Sequence, residues 1–454
     1  MIQSINPTTN EPISSYEEFD KNRIQSIIEN SNIQFDYWSK TNFATRAELL
    51  KKAASILRTE RKKLAELMTF EMGKPILQSY AEVDKCAWVC DYYAENGEKF
   101  LSDEIVETDF SKSYVSFQPL GVILAIMPWN FPLWQVFRFA APTLMAGNTC
   151  ILKHASNVTG CALAIEEIFL QAGFPKYVFN TLILSPSRIE EIISHRAIQA
   201  VSLTGSVPAG SSVASLAGKY LKKTLLELGG SDPYIVLKDA DLDLAVETCV
   251  TSRLINAGQS CIAAKRFIVE APIYDEFVNK YSDLMASKKM GDPFDEKNDI
   301  GPQAAIKLRD ELHQQVVNSI SKGAVLKVGG FIPEINGAFY PPTVLIDVKP
   351  GMPAFDEELF GPVAAIIKAN NEEEAIKLAN NSIFGLGAAI FTNDMEKGEM
   401  IAKTKLRAGS CFVNAFVRSD PRLPFGGIQH SGYGRELSIF GIREFVNIKT
   451  VVIK

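Results

Sequence analysis

The chain has 454 residues, of which 46% are hydrophobic and 22% charged, and its formal net charge at pH 7 is −6. This length predicts two or three domains, and the acidic balance excludes a nucleic-acid partner, because binding a phosphate backbone needs a basic surface. The most apolar stretch, residues 122–147, contains three prolines and Arg138, so we interpret it as a buried core segment and not as a membrane span. The four histidines are scattered without metal-ligand spacing, so no metal site is expected.

The cysteines and the N-terminus predict the compartment. Seven cysteines in a long chain argue against a disulfide framework and favour a reducing environment. Residues 1–9 are polar and lack the charged-then-apolar order of a signal peptide. We therefore expect a cytoplasmic protein with no membrane partner.

The first half of the chain begins with helices and then alternates between strand and helix. Residues 15–100 place apolar side chains at helical spacing. Beyond them the pattern predicts strands at 113–117, 122–127, 149–153, 177–184 and 200–204, and helices at 142–147, 159–173, 189–194 and 209–222. This alternation predicts a doubly wound parallel α/β layer, which binds ligands at the carboxyl ends of its strands.

The second half repeats the alternation and predicts a second α/β domain. Strands are expected at 234–237, 267–269, 363–368 and 388–391, with helices at 241–255, 372–380 and 396–405. The tail at 444–454 ends in an alternating run typical of a strand. Such a strand needs a partner, either inside the chain or on another subunit.

Three polar residues have side chains suited to chemistry, and each also has an ordinary structural interpretation. Cys261 precedes an apolar strand, so its thiol is either a rigidly held nucleophile or a small buried residue. Glu227 lies between an apolar run and paired glycines. It is either a general base whose pKa is raised by desolvation or a strand-end carboxylate satisfied by backbone amides. Asn130, between aromatics and prolines, suits an oxyanion donor or a turn cap.

The segment 203–210 lies between a predicted strand and a predicted helix. Backbone amides at that helix N-terminus suit a phosphate. The segment is not the GxGxxG fingerprint, so taken alone it is a weak signal of nucleotide binding.

Several motifs occur together in one order along nearly the whole chain. They are PWNFP at 128–132, LTGS at 203–206, ELGG at 227–230, GQSC at 258–261, ELFGP at 358–362, PFGG at 424–427 and SGYGRE at 431–436. With these motifs the sequence resembles the aldehyde dehydrogenase superfamily. The runs GVILAIM at 121–127 and LKHA at 152–155 are similar to the short bacterial succinate-semialdehyde dehydrogenases of the Sad type.

The resemblance implies an α/β architecture of three parts. A variant Rossmann domain for the cofactor would take residues 1–110 and 124–227, and an α/β catalytic domain residues 228–431. A small β oligomerisation arm would take residues 111–123 and 432–454. Such enzymes assemble as homodimers or homotetramers, and their cofactor domain lacks the usual glycine fingerprint.

The resemblance also implies a role for each candidate side chain. Cys261 would attack the aldehyde to give a thiohemiacetal, and Asn130 with the Cys261 amide would stabilise the oxyanion. After hydride transfer leaves a thioester, Glu227 would activate the water that releases the acid. The residues implied at the cofactor are Ile126, Met127, Trp129, Lys153, Ser156, Thr204, Gly205, Ser206, Leu228, Glu358 and Phe360.

Two positions bear on cofactor choice. Many NAD-preferring relatives carry an acid three residues after the cofactor-site lysine, and Ser156 stands there instead, three residues after Lys153. A serine does not repel a 2′-phosphate and the lysine attracts one, so we predict that NADP is accepted alongside NAD, or in preference to it.

For the substrate, Arg138 and Ser419 match residues that succinate-semialdehyde dehydrogenases use to bind the substrate carboxylate. The ordinary alternative for Arg138 is an internal salt bridge. A second arginine of better-known members is replaced by Ile255, and Arg253 and Arg418 are candidates to compensate for it.

These inferences predict NAD(P)-dependent oxidation of a small aldehyde to an acid, with succinic semialdehyde as the expected substrate. The alternative is a dehydrogenase for another short aldehyde, such as glutarate semialdehyde or an uncharged one. A CoA-acylating enzyme is disfavoured because such relatives usually lack the general-base glutamate. A non-enzymatic descendant would be free to lose Cys261, Glu227 or Asn130, yet the chain retains all three.

Overall fold

The computed structural model describes residues 1–454, which form four β-sheets and fifteen α-helices. The strands are β1 (Ile2–Asn6), β2 (Glu11–Tyr16), β3 (Glu104–Ile105), β4 (Lys112–Pro119), β5 (Val122–Met127), β6 (Thr149–His154), β7 (Phe179–Thr181), β8 (Ile198–Thr204), β9 (Lys223–Glu227), β10 (Pro233–Val236), β11 (Arg266–Glu270), β12 (Val325–Val328), β13 (Thr343–Ile346), β14 (Val363–Ala369), β15 (Gly387–Phe391), β16 (Ser410–Val413), β17 (Gly432–Tyr433) and β18 (Val446–Ile453). The helices are α1 (Lys21–Trp38), α2 (Phe43–Thr59), α3 (Arg61–Met72), α4 (Ile76–Phe100), α5 (Trp134–Met145), α6 (Thr159–Gln171), α7 (Ile189–Ile193), α8 (Val207–Lys219), α9 (Leu242–Leu254), α10 (Tyr274–Ala286), α11 (Ile306–Ser321), α12 (Pro353–Asp356), α13 (Glu372–Asn380), α14 (Met395–Thr404) and α15 (Ser438–Glu444).

The first half of the chain forms a six-stranded sheet in the order β17-β9-β8-β5-β6-β7. All its pairings are parallel except that of β17 with β9. The central strands β5, β6 and β8 are almost entirely buried because helices cover both faces of the sheet. The predicted doubly wound layer is thereby confirmed.

The predicted bounds of one helix are wrong. The sequence predicts a helix over 142–147, but α5 begins at Trp134 and continues through Pro142. Proline removes one helical hydrogen bond and normally ends a helix. Every residue of α5 is buried, so packing on all sides outweighs that loss.

The second half forms a seven-stranded sheet in the order β12-β13-β14-β11-β10-β15-β16. The pairings are parallel apart from the antiparallel edge pair of β12 and β13. Apolar clusters lie on both of its faces. The second α/β domain expected from the alternation is therefore present.

The C-terminal strand pairs with a strand of the same chain. β18 pairs antiparallel with β4 along its whole length, from Val446 opposite Pro119 to Ile453 opposite Lys112, and β3 completes a three-stranded sheet. The predicted arm segments, 111–123 and 432–454, contain β4 and β18 and also reach into the six-stranded sheet, and as domain bounds they stay a prediction. β5 already begins at Val122 in the six-stranded sheet, and β17 pairs with β9 in that same sheet.

The parallel register brings loops from distant parts of the chain to one edge. The carboxyl ends of β5, β6, β8 and β9 lie side by side in the six-stranded sheet. Ligand sites of open α/β sheets form at such an edge. None of the helices has the length and apolar character needed to cross a bilayer.

Candidate active site

The loop that carries Cys261 has a constrained backbone. Asn256, Ala257 and Gly258 have φ values of 53°, 52° and 78°, in the left-handed region that non-glycine residues seldom adopt. A Cβ atom at Gly258 would overlap the backbone of Gly361. The loop is thus pressed against the start of β14, which fixes the position of the half-buried Cys261.

Asn130 lies beside this loop, just beyond the end of β5. Its side-chain Nδ2 donates to the backbone carbonyl of Gln259 at 3.2 Å, and the backbone carbonyl of Asn130 accepts from Nδ2 of Asn256 at 2.7 Å. Only 4% of the residue is exposed. Since an amide nitrogen carries two hydrogens, one remains available to an oxygen that develops negative charge at Cys261.

Lys265, which the sequence analysis did not single out, holds the far side of the same loop. Its buried Nζ donates to the carbonyls of Ser260 and Cys261 at 2.8 Å and 2.6 Å and lies 3.4 Å from Glu358 Oε1. Burial raises the pKa of the Cys261 thiol to about 12, while the positive charges of Lys265 and Arg138 act in the opposite direction. The thiol is therefore protonated at neutral pH in the free protein.

Glu227 is the last residue of β9 and is 2% exposed. Neither carboxylate oxygen has a hydrogen-bond partner, so the interpretation of a strand-end carboxylate satisfied by backbone amides is wrong. The pKa of Glu227 is raised well above its ordinary value, first by burial and then by the nearby charge of Glu436. A Cβ at Gly426 would lie 2.6 Å from Oε1, so a larger residue there would collide with the carboxylate.

Arg138 is buried and forms an ion pair with Glu436, in which Nε meets Oε2. Its Nη2 also lies 3.4 Å from Thr204 Oγ1, and its guanidinium is 4.8 Å from the centre of the Phe425 ring. The internal salt bridge considered for Arg138 is thus present. Glu436 ends the SGYGRE motif, and the motif alone did not indicate a role for it.

Two cavities meet at Cys261. The first has a volume of about 260 Å³ and is lined by Pro128, Trp129, Asn130, Thr204, Gly205, Ser206, Leu228, Gly229, Cys261, Leu308, Glu358 and Phe360. The second has about 180 Å³ and is lined by Lys85, Phe131, Trp134, Gln135, Arg138, Ile255, Ser260, Cys261, Ile262, Phe416, Val417, Arg418, Ser419 and Phe425. A thiol at this junction is accessible from both sides.

The first cavity gathers most of the residues expected at the cofactor. Trp129 and Phe360 meet edge to face with ring centres 5.7 Å apart. Glu358 accepts the backbone N–H of Gly230 at 3.0 Å, which fixes its carboxylate. Leu228 packs over Gly210, and a Cβ atom at Gly210 would lie 2.5 Å from the Leu228 side chain. These contacts give one end of the site a rigid, largely apolar wall.

The remaining cofactor candidates lie along the sheet edge, outside the lining of both cavities. Ile126 and Met127 end β5, and Ile126 pairs with Lys153 of β6. Lys153 is 7% exposed and has no ion-pair or hydrogen-bond partner. Ser156 begins a short 3-10 turn after β6.

These residues fit an NADP molecule. Lys153 is a cation without an ion-pair or hydrogen-bond partner, and the uncharged Ser156 follows three residues later, which suits a 2′-phosphate. Ser206 caps α8 by accepting the N–H of Ala209 at 3.4 Å, and the N-terminus of this 13-residue helix favours negative charge. The chain would thus hold the adenosine end at β6, the pyrophosphate at α8 and the nicotinamide in the first cavity.

The family model described as "Aldehyde dehydrogenase family" matches residues 1–451. The chain belongs to the aldehyde dehydrogenase family. This confirms the resemblance found in the motifs, and the α/β fold class with it.

Two curated aldehyde dehydrogenases are similar over their full length. One, named a probable succinate-semialdehyde dehydrogenase (NADP+), is from Synechocystis sp.; it is 50% identical over 450 residues that cover 99% of each chain. The other is the succinate semialdehyde dehydrogenase (NAD(P)+) Sad of Escherichia coli K12, 48% identical over 99% of this chain and 97% of its own.

A solved aldehyde dehydrogenase has the same overall structure. The succinic semialdehyde dehydrogenase from Streptococcus pyogenes, in complex with NADP+ as the cofactor, is 39% identical and superposes with a TM-score of 0.98 over 100% of both chains.

No three His, Cys, Asp or Glu side chains of this chain are grouped so as to hold a metal ion.

Proposed function

We propose that this aldehyde dehydrogenase oxidises succinic semialdehyde to succinate with NADP as its preferred cofactor. The observation that carries the proposal is the position of Cys261 between two cavities of different character. One contains the residues suited to a nicotinamide, and the other has aromatic walls with cations and a serine. The names of the full-length relatives support the same substrate and cofactor.

The residues of the chain divide the reaction between them. The Cys261 thiol gives its proton to solvent water, and its sulfur attacks the aldehyde carbon. The carbonyl oxygen becomes an oxyanion that accepts from Asn130 Nδ2 and the Cys261 N–H. The bound cofactor supplies the hydride acceptor. The thioester that remains on Cys261 is then attacked by water, whose proton passes to the Glu227 carboxylate. When the carbon–sulfur bond breaks, the leaving sulfur takes the proton from Glu227, which releases the acid and restores both the thiol and the Glu227 carboxylate.

Glu227 has to lose its own proton before it can act as a base. Burial and the charge of Glu436 raise its pKa well above the ordinary value, so the carboxyl group keeps its proton to a higher pH than an exposed glutamate does. The positive charges of Arg138 and Arg435 lower that pKa, and the negative charge of Glu436 raises it. The Arg138–Glu436 pair therefore tunes the pKa of the base, and Arg138 also lines the second cavity.

The second cavity suits a short aldehyde with a terminal carboxylate. Phe131, Trp134, Phe416 and Phe425 offer apolar walls for the methylene groups, and Arg138 and Ser419 offer polar groups for the carboxylate. Of the candidate substitutes for the arginine missing at Ile255, Arg253 is buried below the Cys261 loop, where it donates to the Gly258 carbonyl at 2.6 Å. Arg253 therefore stabilises the Cys261 loop and does not line the second cavity.

The wild-type protein tests the proposal directly. We expect kcat/KM for succinic semialdehyde to exceed that for butanal by at least about tenfold and NADP to be preferred over NAD. The assay compares both aldehydes and glutarate semialdehyde with each cofactor, and identifies the acid product. Equal use of charged and uncharged aldehydes would contradict the substrate, and turnover that requires CoA would contradict hydrolysis.

The cofactor preference is expected to depend on Ser156. In Ser156→Glu, a carboxylate next to Lys153 repels a 2′-phosphate and accepts hydrogen bonds from free ribose hydroxyls. The ratio of kcat/KM for NADP to that for NAD should fall by about 10- to 100-fold, which corresponds to about 1.5–3 kcal/mol. Steady-state kinetics with both cofactors measures the ratio. Ser321→Glu, at an exposed serine that ends α11 in the second half of the chain, is the matched control and should leave the ratio unchanged.

We also propose that the protein is a cytoplasmic homo-oligomer. All seven cysteines are free, as expected in a reducing compartment. β18 is the open edge of its sheet and carries exposed apolar residues, among them Ile448 at 64% exposure. A second subunit pairing along this edge would cover them.

A further inference from the structure

We propose that Lys85 is a substrate-binding residue, which together with Ser419 holds the far carboxylate of the semialdehyde. The proposal rests on the proposed function and adds a residue to it. Lys85 would supply the second cation of the carboxylate site, which the sequence lacks at Ile255. No motif pointed to it, because it belongs to a long helix far from Cys261 in the chain.

The position of Lys85 suits this role. Its Nζ donates to Ser419 Oγ at 2.8 Å and lies 4.3 Å from the centre of the Trp134 ring. Lys85, Ser419 and Trp134 all line the cavity that ends at Cys261. Because the serine oxygen accepts from Lys85, the hydroxyl hydrogen is left to donate to a ligand oxygen.

The charges around the cavity leave Lys85 without a counter-ion. Arg138 is already paired with Glu436, whereas Lys85 forms no ion pair with any carboxylate. The two acids that act on it electrostatically, Glu82 and Asp420, have cationic partners of their own. A substrate carboxylate would provide the missing negative charge.

The titration of Lys85 agrees with this geometry. Burial lowers the pKa of Lys85 to about 8, and the positive charge of Arg138 acts in the same direction. Two like charges near one small cavity repel each other, and a carboxylate between them relieves that repulsion. Bound substrate would therefore keep Lys85 protonated.

The helix that carries Lys85 is fixed in place. Glu82, one turn earlier on α4, accepts the backbone N–H groups of Leu133 and Trp134 at 2.9 Å each, and pairs with the buried Lys74. These bonds join α4 to the start of α5, the helix that carries Arg138. The two cations are thus held by a common, rigid support, so little ordering accompanies substrate binding.

Lys85→Met tests the proposal while keeping a long apolar side chain over Trp134. We expect KM for succinic semialdehyde to rise by about 10- to 100-fold with kcat changed by less than about threefold, since the contact acts equally on bound substrate and transition state. KM and kcat for butanal should stay within about threefold. The butanal rate also reports that the variant is folded. Lys85→Arg keeps the cation and should recover most of the affinity.

Two further variants separate the explanations. Lys99→Met removes an exposed lysine from the same helix and should leave KM and kcat unchanged for both aldehydes. Arg138→Ala removes another group offered to the carboxylate, so KM for succinic semialdehyde should rise here too. It also leaves Glu436 unpaired beside Glu227, so kcat should fall with both aldehydes, which distinguishes it from a loss of Lys85.

The kinetic results distinguish an error in the role of Lys85 from an error in the proposed substrate. If the wild type prefers succinic semialdehyde and Lys85→Met keeps that preference, the role of Lys85 is wrong while the proposed function stands. If Lys85→Met harms butanal and succinic semialdehyde equally, Lys85 is structural and the proposal also fails. If the wild type shows no preference for the carboxylated aldehyde, the proposed substrate itself is wrong, and the role of Lys85 with it.

Discussion

Replacing Cys261 with alanine is expected to lower kcat by about 10⁴-fold or more with every aldehyde, because no other group at the junction of the two cavities can form the thioester. Cofactor binding should be retained, since Cys261 contributes a small part of the wall of the first cavity. Steady-state NADPH formation measures the first effect, and protein fluorescence titration with NADP measures the second.

Cys411 provides a matched control for this experiment. It is also half-buried, and burial raises its pKa to about 11, but it lies on β16 and lines neither cavity. Cys411→Ala should therefore keep nearly full activity. A Cys261→Ala protein with more than about a tenth of wild-type activity would exclude the cysteine mechanism.

The predicted strands could be placed because their signals are local. β5 is a short apolar run, and β6 and β8 each have an apolar centre, a pattern that favours buried parallel strands. The rule that ligands gather at the carboxyl ends of these strands then brings Asn130 and Glu227 to one edge. The structure places both near Cys261 in this way.

Features that depend on distant partners were not predictable from a single sequence. Lys85 and Ser419 are 334 positions apart, and Arg138 and Glu436 come together only when β17 and the following segment return to the six-stranded sheet. The family resemblance singled out Arg138 and Ser419, but it gave no role to their partners, Glu436 and Lys85. Their importance arises from burial and from the charge left unpaired by the fold.

The bounds of α5 illustrate a conflict between local and tertiary preferences. Pro142 predicts a helix boundary, and the structure carries the helix through it because all twelve residues of α5 are buried. This matters for the site, since the helical register from Trp134 onward turns Arg138 toward both Glu436 and the second cavity. A helix starting at residue 142 would have left Arg138 in a loop.

The buried carboxyl group of Glu227 lowers the free energy of unfolding of the protein. Glu227 is buried with both oxygens unpartnered, close to the buried Glu436. Its folded-state pKa lies above the ordinary value of 4.5. Between these two pKa values the folded state binds more protons than the unfolded state, so this group makes stability fall as pH rises. A carboxylate that must become charged in an apolar setting is costly to the fold and useful as a base.

Glu227→Gln is therefore expected to separate the two halves of the reaction. Glutamine keeps the size of the side chain but cannot take a proton from water, so acyl transfer to Cys261 proceeds and hydrolysis stalls. We expect one rapid equivalent of NADPH per subunit, followed by a steady state about 10³-fold slower than the wild type. Rapid-mixing absorbance measures the burst, and mass spectrometry of the quenched protein detects the acyl group on Cys261.

The same variant tests the linkage between base and fold. Because the substituted glutamine does not ionise, the unfolding temperature of Glu227→Gln should exceed that of the wild type by an amount that grows with pH above the unfolded-state pKa. In the wild type the hydrolysis rate should rise with pH as the raised pKa of Glu227 is passed. Glu166→Gln is a suitable control, since Glu166 is also an acid whose pKa is raised by burial, but it accepts the Thr181 N–H far from Cys261. A missing burst, or a control variant that also accumulates acyl enzyme, would assign hydrolysis to a group other than Glu227.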